Sequence, residues 1–290
     1  MVTIANEHLQ AEINLHGAEL SSLKGDDGTE YMWQADPQVW ARHAPVLFPI
    51  VGALKDDEYH YQGQTYHMTR HGFARDMDFE VLRQEDNAVE LVLTDTAESR
   101  AKFPFAFRLV LSYRLAGNSL EVGYSVNNPS HDDELYFSIG AHPAFSLPLD
   151  AESAYDDYTL TFDPAETRTH IPLDGKYADY AQRDEQEVGQ QALSHELFKD
   201  DALIYELNGE ETTMSLKSSK GGHGVALTVS DAPYVGIWSN YPVPGNFCCI
   251  EPWWGIADAP DASGELTEKR GINRLAPGGT FVQGYTIKTF

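Results

Sequence analysis

The feature that most restricts how this 290-residue chain folds is the spacing of its apolar residues, which recur at every second position in short runs along nearly the whole length. Clear runs are 107–115 (FRLVLSYRL), 119–126 (SLEVGYSV) and 224–230 (GVALTVS), with Gly, Asn, Asp and Pro between such segments. In the second run Leu120, Val122, Tyr124 and Val126 alternate with Ser119, Glu121, Gly123 and Ser125. Successive side chains of a strand point to opposite faces, so this pattern makes one face dry and leaves the other wet. Leu115-Ala116-Gly117-Asn118-Ser119 reads as the hairpin turn joining two of these strands, and an antiparallel meander follows. Helical signals are confined to 95–102 (DTAESRAK) and to 191–198, where Ser194 is placed to cap a short turn. Strands and helices do not alternate, which argues against a parallel α/β sheet and for an all-β sandwich of large antiparallel sheets. The acidic, Gln-rich stretch 179–190 reads as an exposed excursion. No linker, repeat or low-complexity tract marks a boundary, so residues 1–290 are expected to form one domain.

Hydrophobic residues make up 42% of the chain, enough for a sizeable core. With 45 acidic against 20 basic residues the net charge is −25, which speaks against a nucleic-acid partner. The same field repels anionic ligands, although salt limits its reach to about 8 Å and a local arginine can still hold one phosphate. The first residues lack a basic segment followed by an apolar one, and no stretch is apolar for long enough to span a membrane. The only cysteines, Cys248 and Cys249, are adjacent and would point to opposite faces of a strand, which leaves no disulfide to form. A cytoplasmic location is the expectation from these features.

Four segments set polar side chains into apolar surroundings. In Trp40–Gly52 (WARHAPVLFPIVG), Arg42 either braces a loop or presents its fork of donors to ligand oxygens. In Arg70-His71-Gly72-Phe73-Ala74-Arg75-Asp76 a histidine precedes a glycine, which lets the backbone approach another group closely; a surface histidine is the plainer reading. In Phe137–Phe145 (FSIGAHPAF), Pro143 ends the ladder and holds His142 in an extended conformation at a strand mouth, unless it is a satisfied core histidine. In Phe247–Gly255 (FCCIEPWWG), Glu251 follows four apolar residues and precedes Trp253 and Trp254. Partial desolvation there would raise its pKa and make it a better base, whereas a structural carboxylate would be neutralised by an arginine. The tryptophans suit the C–H face of a sugar or a core equally well. Together the groups suit proton transfer between oxygens of a neutral polar ligand.

The same segments resemble the aldose 1-epimerase family, galactose mutarotase and its relatives, and most closely its short LacX-type branch. The likeness runs from N-x-x-G-A-E-L at 14–20, through R-x-x-P-x-L-F-P-I-V-G, H-G-F-A-R, A-H-P-A-F and C-I-E-P-W-x-G-x-A-D, to L-A-P-G-G-T-F at 275–281. It implies a galactose mutarotase-like β-sandwich, or supersandwich, with a sugar cleft on one face. It further implies His142 as the acid that protonates the ring oxygen O5 and Glu251 as the base that removes the O1 proton. His71 would hydrogen-bond the sugar and Arg42 would lie near its ring. Asp201, with Asp200 as the alternative, would grip hydroxyls, and Trp253 would contact the sugar.

The implied reaction interconverts α and β anomers of a free hexose, as in galactose metabolism. Charged His142 and ionised Glu251 would stand on opposite sides of a sugar-sized gap, and neither a metal nor an organic cofactor is required. The eleven histidines include no H-E-x-x-H or cysteine-rich zinc spacing. Hexose-6-phosphate epimerases of the same superfamily carry a similar H-G-F-A-R, so Arg75 either contacts a phosphate or pairs with Asp76 or Asp78. A non-catalytic carbohydrate-binding or sensor protein is the remaining alternative.

Overall fold

The computed structural model describes residues 1–290 and is built almost wholly of strands. Twelve of them follow one hydrogen-bonded path: Ile139–Gly140, Phe247–Trp254, Tyr234–Trp238, Leu203–Glu206, Tyr158–Ile171, Thr212–Ser218, Gly224–Val229, Thr280–Thr289, Ser119–Asn127, Arg108–Ala116, Ala88–Thr94 and Glu80–Gln84. Ala144–Ser146 joins at Phe247–Trp254 and Asp184–Ala192 at Tyr158–Ile171, completing a 14-stranded sheet. Each of these pairings is antiparallel. The path doubles over so that distant strands stack. Trp254, on its second strand, meets Phe281 on the eighth and Tyr124 on the ninth edge-to-face, at ring separations of 6.3 and 6.0 Å.

Alternation decides which side chains enter this interior. Along Ser119–Asn127 it is Leu120, Val122, Tyr124 and Val126 that are buried, each contributing about 1.5–3 kcal/mol in transfer terms. The 107–115 and 119–126 runs form Arg108–Ala116 and Ser119–Asn127, joined at Gly117-Asn118, and the third run forms Gly224–Val229. The expected helix is Ala97–Lys102, with Thr96 and Ser99 exchanging side-chain-to-backbone hydrogen bonds at its start. Ser194 does precede a turn, the 3₁₀ segment His195–Phe198, but its hydroxyl caps nothing.

The stretch 179–190 differs from expectation. Most of it is exposed, yet Asp184–Ala192 is a strand paired along Tyr158–Ile171. Its ladder partner lies on one side and solvent on the other, so an edge strand of this kind tolerates charged and amide side chains on both faces.

The amino-terminal strands Val2–Ala5, Leu9–Asn14 and Glu19–Gly25 form a separate three-stranded sheet that shares the main core. The Glu19 carboxylate accepts the backbone N–H groups of His43 and Ala44 at 2.7 and 2.9 Å, fixing the loop that enters the site. No helix is long and apolar enough to cross a membrane.

His223 clasps two loops. Its Nε2 lies 2.7 Å from Asp27 and its Nδ1 2.5 Å from Asp150. Donating to the Asp150 and Asp27 carboxylates raises the pKa of His223. Asp27 is lowered by the Thr29 backbone N–H and then by the imidazole; Asp150, although burial pushes it upward, is lowered on balance by the same ring. The imidazolium contribution is complete below its unfolded value of about 6.5 and is lost as pH rises through the higher folded value. The carboxylate contributions are lost as pH falls through their lowered values. The melting-temperature difference between wild type and His223→Gln should therefore be largest near about pH 5–6 and shrink on either side. A difference independent of pH would refute this reading of the clasp.

Candidate active site

Phe247–Trp254 is buried along its full length, an unusual setting for a carboxylate. Glu251 is only 1% exposed and lies opposite Gly236 of the neighbouring strand. The glycine leaves room for the Trp253 indole: a Cβ there would come within 2.6 Å of the ring. On the other side, Ile139–Gly140 and Ala144–Ser146 pair with the same strand, and His142 lies in the interruption between them, before Pro143. The break in the ladder directs the imidazole to Glu251, with Nε2 and Oε2 3.3 Å apart. His142 and Glu251 therefore stand side by side, and not across a sugar-sized gap as the resemblance implied. This suits the chemistry, because O1 and O5 of an aldopyranose are bonded to the same carbon.

These groups open onto a cavity of about 190 Å³, the space of roughly six waters at ~30 Å³ each. That is the scale of one sugar ring. Its walls include Trp40, Arg70, His71, Arg75, Asp201 and Trp253, together with His142 and Glu251. The face of Trp40 stacks on His142 at a centroid distance of 5.0 Å, while Trp238 and His71 meet the same imidazole edge-on at 5.6 and 5.7 Å. An indole face favours the imidazolium form by about 0.5–2 kcal/mol.

His71 has φ of 70°, in the left-handed region that few non-glycine residues occupy. Two hydrogen bonds with Gly52 hold it: its own N–H donates to the Gly52 carbonyl at 2.8 Å, and the Gly52 N–H donates to Nδ1 at 3.1 Å. Because Nδ1 is an acceptor there, the neutral ring carries its proton on Nε2. Burial first, then the charges of His142 and the nearby arginines, hold His71 well below the usual histidine pKa. It is a neutral donor.

Asp201 lines the cavity, and Asp200 does not. With φ of 76° its carboxylate turns back, accepting the Ala202 N–H at 2.9 Å and lying 3.7 Å from Arg70. Arg75 also lines the cavity. Its Nη2 donates to the Arg70 carbonyl at 2.7 Å, and it lies 3.8 Å from Asp76, while its buried Nε has no partner.

Arg42 makes the contacts of a loop brace, the first of its two readings. Its Nη2 donates to Asp76 at 2.7 Å and its Nη1 reaches the Arg75 carbonyl at 3.5 Å, so its fork is engaged at the rim and forms no part of the cavity wall. Arg70 stands in the wall instead, with Lys176, which pairs with Asp57 at 2.6 Å. Sequence reasoning missed both, along with Trp40 and Trp238. Arg70 precedes His71 directly, which was the one available signal.

The protonation of the resting pair follows from its surroundings. Burial lowers His142 to about 3; contact with its own backbone opposes this, and the charges of Arg75, Arg70 and Arg42 reinforce it. Burial also pushes Glu251 well above the carboxylate range, with the Asp201 charge adding to it; the Trp253 indole and Arg70 pull the other way, the indole N–H without a well-aligned hydrogen bond. Burial thus favours imidazole beside carboxylic acid over the charged pair that the resemblance implied. The two forms differ only in the position of one proton.

The sequence profile of the family described as aldose 1-epimerase matches residues 1–271. The plasmid LacX protein of Lactococcus lactis subsp. lactis is 31% identical over 99% of this chain and 98% of its own length. A galactose mutarotase related enzyme from Lactobacillus acidophilus superposes with a TM-score of 0.98 at 46% identity, covering 100% of this chain and 97% of that one. A galactose mutarotase-like protein from Lactobacillus casei gives 0.91 at 33% identity, covering 100% of both chains. With a galactose mutarotase-like fold and a profile match over most of its length, this chain belongs to the aldose 1-epimerase family.

Proposed function

We propose that the protein is an aldose 1-epimerase that interconverts the α and β anomers of a free hexose. The observation that carries this reading is the juxtaposition of His142 Nε2 and Glu251 Oε2, 3.3 Å apart in the wall of a monosaccharide-sized cavity. Glu251 as carboxylate takes the O1 proton while His142 as imidazolium gives one to O5, and the C1–O5 bond opens to the aldehyde. This step ends with a protonated Glu251 and a neutral His142, the form that burial favours. Burial thus favours the proton distribution that follows ring opening, while Arg70 supports the Glu251 carboxylate and the Trp40 face the His142 imidazolium of the starting pair. Rotation about C1–C2 and reclosure on the other carbonyl face, with the proton roles reversed, give the other anomer. His71 donates from Nε2 and Asp201 accepts from hydroxyls, with the Trp253 ring against the sugar.

A second reading is favoured by three cationic side chains in the wall, Arg70, Arg75 and Lys176, in a chain of net charge −25. They suit a sugar carrying a phosphate. Polarimetry of freshly dissolved α-glucose, α-galactose, maltose and glucose 6-phosphate separates the possibilities. Acceleration with a free hexose supports the first reading, and acceleration confined to glucose 6-phosphate supports the second. Sugar binding by calorimetry with every rate at the buffer value would leave a carbohydrate-binding protein.

A further inference from the structure

We propose that His142, Cys249 and Glu251 together form a site for a soft divalent cation such as Zn²⁺, whose binding blocks the proton chemistry. Cys249 and Glu251 are two residues apart on the strand Phe247–Trp254, so their side chains leave the same face. Cys249 pairs with Ala144, two residues beyond His142, which brings the imidazole alongside. One ligand atom from each of the three lies within 4.8 Å of the other two.

The spacing suits coordination. Two ligands bonded at 2.0–2.1 Å to one tetrahedral zinc ion stand about 3.3–3.4 Å apart, and the His142–Glu251 separation is 3.3 Å. A Zn–S bond of about 2.3 Å places sulfur roughly 3.6 Å from such ligands. The thiol therefore has to close by little more than about 1 Å.

Charge points the same way. A doubly charged cation with one thiolate and one carboxylate is neutral, which suits a setting where Cys249 is 0% and Glu251 1% exposed. The thiol proton and the proton shared by the pair leave to solvent. Three protein ligands leave a fourth tetrahedral position for water or a sugar oxygen. With the metal bound, Glu251 has no free base and His142 no proton to give. Cys249 has no part in the proton transfers and does not line the cavity. Cys248 is chemically identical and points to the opposite face, which makes it an internal control.

The test titrates the metal-free full chain with Co²⁺ and Zn²⁺. One equivalent of Co²⁺ should give the visible bands of a tetrahedral ion and a near-ultraviolet thiolate-to-cobalt band. The thiolate band should vanish in Cys249→Ala and persist in Cys248→Ala. Cys249→Ala should also bind Zn²⁺ at least roughly 100-fold more weakly, the upper range lost when even an outer-shell partner of a metal site is removed. In polarimetry one equivalent of Zn²⁺ should stop the wild-type acceleration, EDTA should restore it, and Cys249→Ala should keep its rate in Zn²⁺. A wild-type cobalt spectrum without a thiolate band, or equal Zn²⁺ inhibition of wild type and Cys249→Ala, would overturn the proposal. The spectra do not depend on sugar turnover, so failure of the metal site and failure of the epimerase reading are separate results.

Discussion

Replacing Glu251 by glutamine should lower the catalysed mutarotation rate by about 10²–10⁴-fold, the usual contribution of a positioned acid or base. That is about 2.7–5.5 kcal/mol of barrier. The amide fills the same space on the buried strand and neither accepts nor releases the O1 proton. His142→Gln should cost as much, and the double variant little more than either single one, because both groups serve one proton circuit. Circular dichroism and sugar binding by calorimetry separate this loss from misfolding. A Glu251→Gln protein retaining more than about a tenth of the rate would remove Glu251 from the mechanism.

The pH dependence of kcat/KM, which reports the free protein, should follow the pair and not either residue alone. One proton is held where burial lowers His142 to about 3 and lifts Glu251 well above its ordinary range. A second proton is accepted only in strong acid. The profile should therefore show no acid limb near about 6.5, where an ordinary histidine would place one. Its alkaline limb marks loss of the shared proton.

Lys269→Met should destabilise the fold by about 3–5 kcal/mol, a large part of the roughly 5–15 kcal/mol that holds a typical domain together. Lys269 and Asp258 are 8% and 5% exposed, and their charges meet at 2.8 Å. Nζ also donates to the Ile256 carbonyl at 2.8 Å, while Asp258 Oδ2 accepts the Lys55 N–H at 2.9 Å. Methionine fills the volume but leaves Asp258 as an uncompensated buried carboxylate. The urea midpoint measures the loss. The Asp258 N–H donates to the Ala53 carbonyl at 2.9 Å, and the adjacent Gly52 holds His71, so the sugar KM should rise as well. An unchanged midpoint would show that the pair is dispensable.

Strand existence was legible because alternation is local: the burial pattern of Ser119–Asn127 is the pattern of its sequence. The edge-to-face contact of Trp254 with Tyr124 and Phe281 was not, since it depends on register accumulated over many strands. At the site, the glycine after His71 was informative for a steric reason. Gly72 has φ of 70°, and a Cβ there would sit 2.3 Å from the Phe48 carbonyl. The choice between Asp200 and Asp201 rests on the left-handed backbone at Asp201, which two adjacent aspartates do not reveal. Arg42, Arg70 and Arg75 look alike in sequence, and only the folded arrangement shows that Arg70 and Arg75 line the cavity while Arg42 donates to Asp76. The edge strand Asp184–Ala192 was hidden because both of its faces are largely exposed, which removes the period-two signal.

The aromatic lining has an optical consequence. Three of the five tryptophans, Trp40, Trp238 and Trp253, stand in the cavity wall, and the first stacks on His142. A sugar that enters there, or a proton that moves onto the imidazole, alters the surroundings of three of the protein's five indoles. The site thus carries its own label, and ligand entry is readable as intrinsic fluorescence in an unmodified chain.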